Sequence, residues 1–127
     1  MRYNAQVESY FKAPEHAGVL TVAAGKAASA LAGSEQEGAA IRLSLHMNDS
    51  GVIQQARFQA YGCGVTIAAA EYACSWAEGK QPAQLAALTS SELMQALDLP
   101  AVKLHSAILA VEVLRDAASK LVPSQNE

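Results

Sequence analysis

From Ile41 to Asn48 apolar and polar residues alternate, with Ile41, Leu43, Leu45 and Met47 set against Arg42, Ser44, His46 and Asn48. A period of two sends the sets to opposite faces, so the stretch predicts a strand with one buried face. Asn48-Asp49-Ser50-Gly51 has turn chemistry. The alternation resumes from Val52 to Ala60, with Ala56, Phe58 and Ala60 inward and Gln55, Arg57 and Gln59 outward. So short a connection cannot make a parallel crossover, and the two strands form an antiparallel hairpin. Past Cys63 the period becomes helical. A helix is predicted from Val65 to Glu78, stopped where Gly79 can turn left-handed. Pro82 opens a second, short helix as a first-turn residue. Thr89-Ser90-Ser91-Glu92 has the form of a capping box and starts a third through Leu93, Met94 and Leu97, ended by Asp98-Leu99-Pro100. The last helix is predicted from about Val102 to Leu121, with Leu104, Ile108, Val111, Leu114 and Leu121 on one stripe. At the other end, Asn4 caps a short first helix with Val7, Tyr10 and Phe11 on its apolar side, stopped at Ala13-Pro14.

The stretch from Gly18 to Gly38 has no clean period. It holds a β-like run, Val19-Leu20-Thr21-Val22, then an Ala/Gly/Ser-rich passage, and is expected to give one strand plus a mobile loop. The expected fold is α+β, with a small antiparallel sheet of about three strands packed against four to five helices. It forms one domain over residues 1–127 without internal repeats. His16 and His46 read as surface residues, His46 on the polar face of its strand, and Tyr72 and Trp76 read as core packing.

Alanine inflates the 51% apolar content, so helices are expected to pack closely with little volume per contact. With a net charge of -3 and no run of Lys or Arg, nothing supplies the positive field that would draw nucleic acid or an anionic membrane. No apolar segment approaches the roughly 20 residues a membrane span needs, and a cytoplasmic location is expected. The two cysteines, Cys63 and Cys74, lie at the head of and within one predicted helix. Their separation of roughly 16 Å along its axis is too great for a disulfide, so both are expected as free thiols, as suits a reducing compartment.

Tyr61-Gly62-Cys63-Gly64 falls where the strand pattern ends and the helical one begins. A cysteine at a helix N-terminus meets unpaired amides and the positive dipole end, which favour a thiolate. Gly62 and Gly64 leave room beside it for a metal, a sulfur atom or another protein's loop; the plainer alternative is a small buried residue at a tight turn. A second candidate is Leu99-Pro100-Ala101-Val102-Lys103-Leu104-His105-Ser106, entering the last helix. His105 there suits metal ligation with Lys103 supplying positive charge, or else a side chain hydrogen-bonded to backbone.

Tyr-Gly-Cys-Gly followed some 40 residues later by Leu-Pro-Ala-Val-Lys-Leu-His resembles the IscU/NifU family of iron-sulfur cluster scaffolds. Tyr3-Asn4 with Val7, Tyr10 and Ala13-Pro14 is similar to that family's opening helix, and Asn48 through Phe58 to its hairpin. The likeness lapses from about Val19 to Ala40. It implies a protein, not an enzyme, that receives sulfur as persulfide from a cysteine desulfurase, accepts iron and builds a 2Fe-2S cluster that a chaperone helps hand on. The family's ligands are three cysteines, an aspartate and a histidine. Cys63 matches the second cysteine and His105 the histidine, while Ser106 stands at the third cysteine. Ungapped alignment puts Glu37 at the first cysteine and Ala39 at the aspartate. Ala101 departs from the family's Leu-Pro-Pro-Val-Lys chaperone motif by one residue.

A 2Fe-2S cluster ordinarily takes four protein ligands, mostly thiolates, and this chain offers one plausible thiolate. Cys63, His105 and Glu37 with water suit a single zinc or ferrous ion. In a homodimer, Cys63 and His105 from each copy would supply four ligands. Three readings stand open. The first is an iron-sulfur biogenesis protein with atypical ligands or a Cys63 persulfide. The second is a non-assembling module that binds a desulfurase or other partner. The third, a thiol enzyme with Cys63 as nucleophile and His105 as base, lacks an orienting group and ranks last.

Overall fold

The computed structural model describes residues 4–21 and 25–122. Asn4 opens helix α1 (Ala5–Lys12), its side-chain oxygen accepting from the Val7 amide at 2.8 Å. Three antiparallel strands follow in sheet order β1-β2-β3, namely β1 (Lys26–Ser34), β2 (Ala39–Met47) and β3 (Ile53–Tyr61). After them come α2 (Gly64–Ala77), a 3-10 helix (Pro82–Ala87), α3 (Ser90–Ala96), a 3-10 turn (Ala101–Lys103) and α4 (Leu104–Ser119). The α+β expectation holds, and the hairpin falls where the alternation put it. Among the described residues no helix is long and apolar enough to cross a membrane.

One sheet face is dry. Ile41, Leu43 and Leu45 of β2 and Ala56 and Phe58 of β3 bury there against α2 and α4. Ala68, Ala69, Ala70, Ala73 and Ala77 of α2 and Ala107, Ala110 and Ala117 of α4 are buried too, so these helices pack through small side chains. Of the expected stripe, Val111 and Leu114 in α4 and Leu121 just past its end are buried, Ile108 is half-buried and Leu104 is exposed, while Ala107, Ala110 and Ala117 take core positions that a reading weighted to large residues passes over. Gly79 has a φ of +91°, as its role in stopping α2 requires. Thr89 caps α3 by accepting from the Glu92 amide at 3.1 Å. Tyr72 and Trp76 pack partly buried against the core, with the Lys80 ammonium 4.2 Å from the Trp76 ring centroid.

Three expectations are corrected. The first strand forms in the Ala/Gly/Ser passage, not at Val19-Leu20-Thr21; Val22 lies outside the described residues. β1 pairs along its whole length with β2, from Lys26 opposite Met47 to Ser34 opposite Ala39, and its small residues let α4 close over it, burying Ala30. A strand's existence is decided by a partner edge and a covering layer more than by β-branched composition. His46 is buried, because the chain at Gly25 closes over it: a Cβ on Gly25 would stand 2.8 Å from His46 Nε2.

His16 is buried as well, and it organises a cluster of charges. Its Nδ1 lies 2.5 Å from Glu71 Oε2 and its Nε2 2.9 Å from Glu78 Oε1, while its backbone amide donates to Glu71 Oε1 at 2.8 Å. Glu78 also accepts from the Ala56 amide and from the Arg57 guanidinium, at 2.9 and 3.1 Å. This cluster pins the segment after α1 to the open edge of β3, where the Phe58 amide donates to His16 O and the Gly18 amide to Phe58 O. A histidine with both ring nitrogens on carboxylates is favoured as the cation. Burial alone would lower the His16 pKa, but hydrogen bonds and charge from Glu71 and Glu78 outweigh it and raise it above the ordinary 6.5.

Candidate functional site

β3 ends at Tyr61, and Gly62, at a φ of +146°, turns the chain into α2 with Cys63 as its N-cap residue. Only glycine fits this turn. A Cβ at position 62 would stand 2.7 Å from Thr66 Oγ1, and the φ disfavours any L side chain. Gly62→Ala is therefore expected to cost about 1–3 kcal/mol of stability, read as a lower denaturation midpoint at unchanged slope. A midpoint equal to wild type would show that the turn relaxes freely.

Cys63 is exposed, which excludes the buried-turn reading. Partial burial pushes its pKa up, but the Thr66 amide and hydroxyl, the Val65 amide and the Lys103 ammonium pull harder, and the net pKa is lowered. Cys74 is fully buried on the same helix, and its pKa is driven well above that of an ordinary thiol, by burial first and then by the charges of Glu71 and Glu78. The two thiols are thus shifted in opposite directions, Cys63 toward the thiolate and Cys74 away from it.

The head of α4 closes the site. After Leu99-Pro100, the 3-10 turn Ala101–Lys103 brings Lys103 Nζ within 4.0 Å of Cys63 Sγ. One turn into α4 the buried Ser106 hydroxyl lies 3.2 Å from Thr66 Oγ1, which is itself 3.7 Å from Cys63 Sγ. Cys63, Lys103, Ser106 and the flanking Gly62 and Gly64 are thus gathered where two helix heads meet. His105 is exposed in the first turn of α4. Val102, 77% exposed, and the exposed Leu104 make the approach to this end apolar.

Glu37 does not join them. It belongs to the β1–β2 turn, where its amide donates to the Ser34 hydroxyl at 3.2 Å and its carboxylate accepts from that hydroxyl at 3.3 Å. Among the described residues no three His, Cys, Asp or Glu side chains are placed to hold a metal ion, so the expected set of Cys63, His105 and Glu37 is not assembled. The turn's own hydrogen bond from Ser34 engages one of the two carboxylate oxygens. Ala39, at the position matched to the family's aspartate, is a buried core residue of β2. Thr66 is the site residue that sequence reading missed. The available signal was its place three residues after the N-cap, where a side chain reaches back to the cap.

An exposed cysteine with a lowered pKa at a strand-to-helix turn, facing a lysine at a second helix head beside a three-stranded sheet, marks a thiol-bearing α+β domain. Residues 2–126 match the family described as NifU-like N terminal domain, and the chain belongs to that family. It is 29% identical over 127 residues to the iron-sulfur cluster assembly scaffold protein IscU of Buchnera aphidicola subsp. Schizaphis graminum, covering 100% of this chain and 99% of that one. With the protein of the same name from Escherichia coli K12 it shares 31% identity over 117 residues, 92% of this chain and 91% of the other. Among solved structures, the N-terminal part of a NifU-like protein from Brucella abortus superposes with a TM-score of 0.67 at 16% identity, covering 93% of this chain and 92% of that one.

Proposed function

We propose that this chain works in iron-sulfur cluster assembly as a sulfur-accepting scaffold, with Cys63 taking up sulfur as a persulfide. The observation that carries this reading is one exposed sulfur with a lowered pKa, 4.0 Å from the Lys103 ammonium. A nucleophilic thiolate is what sulfur transfer needs. The Cys63 thiolate attacks the terminal sulfur of a donor cysteine persulfide. The new S–S bond forms as the donor's S–S bond breaks, the donor leaves as a thiolate, and the terminal sulfur's proton stays with the product or passes to solvent. No net oxidation occurs. Lys103 offsets the negative charge carried on the transferred sulfur.

The donor of suitable chemistry is a cysteine desulfurase, and the exposed Pro100, Ala101, Val102 and Leu104 suit a partner that grips an apolar segment, as a chaperone does. Iron and the cluster are cargo here, so the chain acts as a carrier and not as an enzyme. Since 2Fe-2S clusters take about four protein ligands, one accessible thiolate and an exposed His105 per chain leave cluster closure to a second copy or a partner. Zinc competes for the same thiolate. Two free thiols are in keeping with the cytoplasm.

The test is anaerobic incubation with a cysteine desulfurase and cysteine, followed by peptide mass mapping. One added sulfur is expected on the peptide containing Cys63. An unmodified Cys63 alongside a desulfurase that still binds the chain would sink this reading in favour of a non-assembling interaction module.

A further inference from the structure

Thr66 occupies a position that the transfer reaction alone does not account for. The residue is 1% exposed, its hydroxyl lies between Cys63 Sγ at 3.7 Å and Ser106 Oγ at 3.2 Å, and its flank is closed by Gly62, where any side chain would strike it. We propose that Thr66 is the positioning residue for the Cys63 sulfur, forming with Ser106 a two-hydroxyl relay that joins the heads of α2 and α4. This rests on the reading of Cys63 as sulfur acceptor.

A threonine hydroxyl has one proton to give and two lone pairs to receive. Thiolate sulfur only accepts. Once Cys63 is charged, the Thr66 O–H must point at the sulfur, its lone pair is then free for the Ser106 O–H, and both protons are committed in one direction. Charging the sulfur therefore selects one hydroxyl orientation out of the two that a neutral thiol allows. The relay fixes the sulfur from below while Lys103 faces it from the other helix head, which leaves the exposed side for a donor persulfide. Ser106 in this arrangement is not a ligand to cargo. It is the second donor in the relay, buried and turned to Thr66.

The experiment compares Thr66→Val, Thr66→Ser, Ser106→Ala and the Thr66→Val/Ser106→Ala double variant by two rates: alkylation of Cys63 by iodoacetamide at one fixed pH, and persulfide loading from a desulfurase. Charge-assisted hydrogen bonds are the strong class, so Thr66→Val is expected to slow both rates about tenfold. Thr66→Ser should keep both within about twofold of wild type, because the hydroxyl alone carries the effect. Ser106→Ala should fall between, and the double variant should be no slower than Thr66→Val, since the second hydroxyl acts only through the first. Thr66→Val at the wild-type alkylation rate, or Thr66→Ser as slow as Thr66→Val with an intact circular dichroism spectrum, would overturn the proposal. Alkylation needs no sulfur donor, so a slowed Thr66→Val in a protein whose wild type takes no sulfur would support the relay and refute the acceptor reading.

Discussion

Glu71→Gln is expected to cost about 3–5 kcal/mol and to lower the melting temperature by roughly 10–15 °C, the largest stability effect of any single polar replacement proposed for this chain. The side chains of His16 and Glu71 are 11% and 4% exposed, so the pair has been taken almost wholly out of water. Removing one charge leaves the other buried with half its compensation, and that orphaned charge, not the lost attraction, sets the cost. Glutamine keeps the size of the side chain, so a fall in stability cannot be laid to a cavity. The sign with pH follows from the two shifted groups. His16 has its folded pKa raised above 6.5, so its contribution is complete below that pH and fades as pH climbs through the folded value. Glu78 behaves oppositely. Burial raises its pKa, but the Ala56 amide, His16 and Arg57 bring it below the ordinary 4.5, so its contribution is present above that value and fades as pH falls through the lowered one. Together the two groups stabilise most between about pH 4.5 and 6.5. Thermal denaturation across pH checks both parts: wild type should weaken on the alkaline side, and Glu71→Gln should flatten that slope. An unchanged melting temperature would mean that the cluster merely offsets its own desolvation.

Cys63→Ser is expected to abolish sulfur uptake from a desulfurase and to remove the visible charge-transfer bands that form when the protein is reconstituted anaerobically with iron and sulfide. Cys74→Ser should retain both. The contrast follows from placement along one helix. Cys63 meets the first-turn amides and a lysine, whereas Cys74 is sealed among apolar side chains, where a thiolate is costly. Mass mapping and absorption spectra of the two variants read this directly. Retained bands in Cys63→Ser would move cargo binding away from the helix head, and a desulfurase pull-down surviving the same substitution would leave only partner binding in place.

How much of this was legible in the chain depended on the kind of force involved. The β2–β3 hairpin and the ends of α2 were plain, because alternation and the glycines at 51 and 79 act locally. Cys63 and Lys103 were legible as chemistry next to helix starts, and the structure brings them together. β1 was not legible, since Lys26–Ser34 is a strand by virtue of what lies beside it and its own residues carry little β signal. His16 reads as a surface residue in the sequence because its carboxylate partners lie 55 and 62 positions away. Glu37 is the converse case: alignment sets it at the family's first cysteine, but its hydrogen bonds to Ser34 belong to the β1–β2 turn.

The alanines of α2 and α4 have a consequence for the chemistry at their heads. The two heads can come no closer than the bodies of α2 and α4 allow, and fully buried alanines such as Ala73 and Ala110 keep those bodies slim. A wider side chain at either depth would wedge the helices apart like a shim under a hinge. The calibration of this thiol is therefore written partly in residues that never touch it.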